Sequence, residues 1–112
     1  MKPLLAKDLP AFLKRFGNFV DGEFRDLEII SPTIMKLTLA GQDWARGFDW
    51  LSIEFEFNNI NDANILDNSK LLHVDMEDGI NIVYQNNQYK FIVNNSTFHI
   101  HSQNIKYQEK QF

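Results

Sequence analysis

"INIVYQNNQYKFIVNNSTFHI", residues 80–100, decides the fold. Its apolar residues recur at every second position: Ile80, Ile82 and Tyr84, then Tyr89, Phe91 and Val93, then Phe98 and Ile100, with Ile105 and Tyr107 as a short continuation. That is the period of a strand with one face on a core and the other toward water. The interruptions are Asn86-Asn87, Asn94-Asn95-Ser96 and Ser102-Gln103-Asn104. Asparagine tolerates positive φ better than most residues, so each joint reads as a tight turn between antiparallel strands. Parallel pairing would need crossovers of about a dozen residues, and these joints leave no room for them.

The same period extends back toward the N-terminus. Met35, Leu37 and Leu39 share a face in "TIMKLTLA" (33–40), as do Leu51, Ile53, Phe55 and Phe57 in "LSIEFEF" (51–57), and Leu72, Val74 and Met76 in "LLHVDM" (71–76). "GEFRDLEII" (22–30) reads as the first strand, with Leu27 and Ile29 inward and Pro32 at the following turn. "NNINDANILDNSK" (58–70) is rich in Asn and Asp and reads as a loop, in which Asp62 caps a single helical turn over residues 63–66 that tucks Ile65 and Leu66 over a sheet edge.

Only "KDLPAFLKRFGNF" (7–19) has a helical period. Leu9, Phe12, Leu13 and Phe16 form the apolar stripe, Asp8 stands where a cap is needed, Pro10 suits the first turn and Gly17 a left-handed stop. Lys14 and Arg15 lie in the last turn, where the helix dipole favours cations. The expected fold is therefore α+β but mostly β: an antiparallel meander of seven or eight strands, strongly twisted or rolled. One short N-terminal helix lies on its apolar face or closes one end.

A length of 112 residues suits a single domain spanning residues 1–112. The net charge of −4 and the lack of any long basic run argue against nucleic acid as partner. The chain has no cysteine, which excludes disulfides, thiol nucleophiles and thiolate metal sites and fits a reducing cytoplasm. Neither a signal peptide nor a bilayer-spanning apolar run is present, so the expectation is a soluble, unexported, cytoplasmic protein that does not enter membranes and is free to form homo-oligomers.

Chemistry-bearing motifs are few, and no cofactor is implied. Serines 31, 52, 69, 96 and 102 lack a nucleophile elbow, and the five glycines form no phosphate cradle. "NDANILDN" lacks the glycine and terminal glutamate of a calcium loop. Glu54 and Glu56 share a strand face, the pattern of solvated acids rather than of an acid–base pair. His99 and His101 also share a face, as do His73 and Asp75, and if those two strands were neighbours the four side chains would suffice to hold a zinc or iron ion. A solvated polar face, opposite Phe98 and Ile100, explains the same spacing without a metal.

"GQDWARGFDW" (41–50) places Trp44, Phe48 and Trp50 in or beside a connection between strands. With Asp43 and Asp49 as a charged rim, this is the composition of a protein-binding anchor; alternatively the loop folds back and buries its rings against the helix. Ile34, Trp50, Val83 and Ile92 further break the polarity of the non-core face beside Lys36, Glu54, His73, Lys90 and His99, a mixture found at interfaces and equally beneath a second layer.

"FVDGEFRDLEI" (19–29), "IMKLTLAG" (34–41) and "LSIEFEFNNI" (51–60) together resemble the opening of small bacterial β-rich families of unknown function, some of them classed as immunity proteins. Such families often carry a His-Asp pair before the first strand; here Asp21 matches the acid and Val20 replaces the histidine. The resemblance implies a non-catalytic interaction module that binds a protein partner. The alternative is a metal or small-ligand domain built on His73, Asp75, His99 and His101.

Overall fold

The computed structural model describes residues 1–65, 74, 76–93 and 98–111. Its single α-helix among these residues, α1 (Leu9–Arg15), buries Leu9 and Phe12 and, at its C-terminal cap, Phe16. Asp8 occupies the N-cap position, yet its side chain makes no capping hydrogen bond. The chain instead enters α1 from a 3-10 turn over Ala6–Asp8, and the Leu9 amide donates to Ala6 O. After α1 the backbone reverses hand for three residues, with φ of +55° at Gly17, +54° at Asn18 and +56° at Phe19. Left-handed backbone costs a bulky residue about 1–2 kcal/mol, and here burial offsets it. Phe19 is 1% exposed, its ring stacks on Phe16 at 5.1 Å, and it closes over Gly41, where a Cβ would come within 2.7 Å of the ring.

Seven strands lie among the described residues: β1 (Lys2–Pro3), β2 (Glu23–Ser31), β3 (Ile34–Asp43), β4 (Asp49–Asn64), β5 (Ile80–Gln85), β6 (Gln88–Val93) and β7 (Phe98–Gln111). They form one antiparallel, twisted sheet in the order β2-β3-β4-β7-β6-β5, with β1 pairing β7. Two three-stranded meanders, β2–β4 and β5–β7, are thus joined along the β4–β7 seam. Asn86 and Asn87, at φ of +55° and +63°, make the tight β5–β6 turn expected of them. The Asn94-Asn95-Ser96 joint lies outside the described residues, as does most of the strand expected over 71–76. Ser102-Gln103-Asn104 is no turn: β7 runs through it and pairs with β4 on both sides.

The sheet is rolled around its apolar face. Phe24 on β2 and Phe98 on β7 are three strands apart, at least about 14 Å in a flat sheet, yet their ring centroids are 5.2 Å apart. Curling encloses Leu37, Leu39, Ile53, Phe55, Phe57, Phe91 and Ile100, all fully buried, and α1 sets Phe12 against Phe55 at 5.9 Å.

Alternation slips at irregularities in the ladder. In β2 a register shift between Phe24 and Asp26 lets both Phe24 and Leu27 point inward. Ile29, expected inward, pairs with Met35 but is exposed, because β2 is an edge strand. Tyr84, near the end of the other edge strand, is exposed for the same reason. The largest departure is the expected loop from residue 58 onward: its first part is strand, β4 continuing to Asn64, so Asp62 caps no helical turn.

Candidate functional site

Two arrangements gather the residues singled out by sequence. The first is the β3–β4 hairpin. Its ladder ends at the Asp43–Asp49 pair, a 3-10 turn follows over Trp44–Arg46, and Gly47 and Phe48 return the chain at φ of +63° and +68°. The Phe48 amide donates to Asp43 O at 2.9 Å. Trp44 and Phe48 meet edge to face with centroids 5.7 Å apart and are 54% and 53% exposed; Trp50 is 38% exposed. Trp44 also rests on α1's end, where a Cβ on Gly17 would come within 2.4 Å of the indole. The loop therefore leans on the helix without burying its rings.

Asp43 is not part of a charged rim. Its side chain is fully buried, accepts from Arg15 Nε at 3.1 Å and Nη2 at 2.8 Å, and accepts from the Ala45 amide at 3.0 Å. The Arg15 bonds hold the Asp43 carboxyl below its ordinary value against the opposing effect of burial. Arg15 in turn donates to Glu109. Asp49 is exposed.

The second arrangement lies on the outer face of β4 and β7. His99 and His101 are half-buried, with ring centroids 4.8 Å apart. Asp62 Oδ2 lies 3.2 Å from His99 Nε2 and 3.6 Å from His101 Nδ1. Burial and then the neighbouring His99 push His101 below its ordinary value, an effect that Asp62 opposes and Lys90 reinforces. Beyond β7, Lys90 and Ile92 of β6 stand opposite His101 and His99. His73 and Asp75 lie outside the described residues, and the carboxylate found beside the histidines is Asp62.

Asp62 reaches this face because of a bulge. Ile60 pairs with Ser102 and Asp62 with His101, so two steps on β4 oppose one on β7 and Asn61 is the extra residue. In a regular ladder, with Asn61 paired and no bulge, Asp62 would share the inward face of Ile60. Asn61 Nδ2 donates to Gln88 Oε1 at 2.7 Å and ties the bulge to β6. The overlooked signal is the spacing of Phe57, Ile60 and Ala63, three apart twice in succession, which marks two changes of phase in one strand.

The remaining candidates have ordinary surroundings. Burial raises the Glu54 carboxyl's value, but hydrogen bonds from Lys110 at 3.0 Å and Gln108 at 2.8 Å outweigh it and hold Glu54 ionised. Ser102, adjacent to His101 in sequence, is buried on the opposite face and donates to Asn104 O. Among the described residues no helix is long and apolar enough to cross a membrane. Compared with protein-family models, characterised proteins and solved structures, the chain matches none.

Proposed function

We propose that this protein is a non-catalytic interaction module that presents Trp44, Phe48 and Trp50, with Asp49 beside them, to a protein partner. Phe48 carries the reading. Among the described residues two phenylalanines adopt left-handed backbone, Phe19 and Phe48, and the cost to Phe19 is offset by burial. Phe48 has no such return, because half of its surface faces solvent. A strained residue held outward is stabilising only when something else covers it, and strain of this kind concentrates at functional sites.

Aromatic anchors on a braced loop lose little conformational freedom on association, which favours affinity. The bracing comes from the pair that half-buried Arg15 makes with buried Asp43 beneath the turn. Arg46, whose side chain is 63% exposed and 3.7 Å from Asp43, stays within reach of an acidic group on the partner. The resemblance of residues 18–60 to families that include immunity proteins supports a partner that is held and neutralised. The lack of cysteine supports a reducing cytoplasm as the setting.

Affinity capture with wild-type protein and with a Trp44→Ala, Phe48→Gly variant tests the reading. The partner enriched by wild type is expected to be lost from the variant, with binding weakened about thirtyfold or more, the scale of removing an aromatic hot spot. Retention at full strength would refute the proposal. Light scattering of both proteins identifies the case in which the partner is a second copy of the chain.

A further inference from the structure

We propose that Asp62, His99 and His101 form a binding site for one zinc ion, independent of the aromatic loop. The donor geometry is the first argument. Zinc bonds of about 2.0–2.1 Å to nitrogen and oxygen in a tetrahedron place the donors about 3.3 Å from one another. The two Asp62 edges, 3.2 Å to His99 Nε2 and 3.6 Å to His101 Nδ1, match that edge. All three donor atoms lie within 4.8 Å of one another. The torsion between Cβ and the imidazole ring is broad enough for a small rotation to close the remaining nitrogen–nitrogen edge.

The second argument is the bulge. The histidines face outward simply because Phe98 and Ile100 face inward. Asp62 has no such default, and it joins them only through the extra residue Asn61, held by its hydrogen bond to Gln88. Bulges that re-aim one side chain are characteristic of sites. Three protein donors, two imidazoles and a carboxylate, leave a fourth position toward solvent, where Asp62 is exposed. Zinc sites that accept a water or a small ligand have this arrangement, whereas closed structural sites have four protein donors. Lys90, opposite His101 on β6, works against a cation; its ammonium donates to Gln85 at 3.4 Å.

Calorimetric titration of untagged full-length protein with zinc, and with cobalt as a spectroscopic probe, tests the site. One ion per chain is expected, with visible cobalt bands of a four- or five-coordinate centre. Asp62→Ala and His101→Ala should each weaken binding about a hundredfold, at least the loss that removal of a supporting hydrogen-bond partner causes. Lys90→Gln should tighten it about fivefold, the scale on which one unit charge acts on a divalent ion through water-like surroundings. A gain of affinity cannot arise from misfolding. Binding that survives Asp62→Ala would reduce the cluster to a surface histidine pair and overturn the proposal, as would no binding by wild type. Trp44→Ala should leave zinc binding unchanged, which separates this outcome from that of the interaction reading.

Discussion

Phe19 and Phe48 show how the same backbone conformation acquires opposite meanings from its surroundings. Both sit at positive φ, but only Phe19 is enclosed, between Phe16 and Gly41. Glycine populates left-handed backbone without a Cβ penalty, so Phe48→Gly relieves strain and sacrifices little burial. Some of that gain returns to the unfolded chain as entropy. The net expectation is a stabilisation of about 0.5–1 kcal/mol, readable as a rise of a few degrees in Tm. Phe19→Gly relieves similar strain but removes a buried ring, and should cost about 3 kcal/mol. Thermal melts of the two variants moving in the same direction would show that burial does not distinguish the positions. Neither assignment was legible in the sequence, because handedness at one residue leaves no trace in a hydrophobic period.

At the scale of elements, the helix, the hairpin and β7 are locked by Arg15, which joins buried Asp43 to Glu109. The folded-state value of Asp43 is depressed, so its ionisation contributes stability above the unfolded carboxyl's value. That contribution is lost as pH falls through the folded one. Asp43→Asn should therefore cost about 2–3 kcal/mol at neutral pH, near the lower end for breaking a buried pair because the amide can still cap the turn. The gap between wild type and variant should narrow as pH falls below the ordinary carboxyl value of 3.8. Urea denaturation across that range measures it, and a gap independent of pH would mean that the pair does not favour the ionised form. The strands themselves were legible from their period of two, and the Asn86-Asn87 turn from its composition. The bulges were not: an inserted residue reverses the alternation locally, so Asp62 in an Asn-rich segment reads as loop. Asp43 shows the converse error, since an acid in a connection reads as rim until Arg15, 28 residues away in sequence, is brought to it.

For the whole molecule, the question is whether two meanders joined at one seam unfold as one. β4 and β7 pair from Leu51–Gln111 to Asn64–His99, and Phe55 at their centre touches the rings of Phe12, Phe19, Phe57 and Phe91, from α1 to β6. A core ring with contacts on both halves makes each half's stability depend on the other, the condition for a single cooperative transition. Both tryptophans lie in the first meander or its loop, so their fluorescence reports that half, while amide exchange in β5 and β6 reports the other. The two should give the same unfolding free energy in wild type. Phe55→Ala should lower both together by about 3–5 kcal/mol. If fluorescence lost that amount while β5 and β6 amides kept their protection, the seam would be a contact between two independent units. The outer-face histidines on β7 and Asp62 on β4 would then be held by separate bodies, and the zinc geometry would fluctuate with their docking.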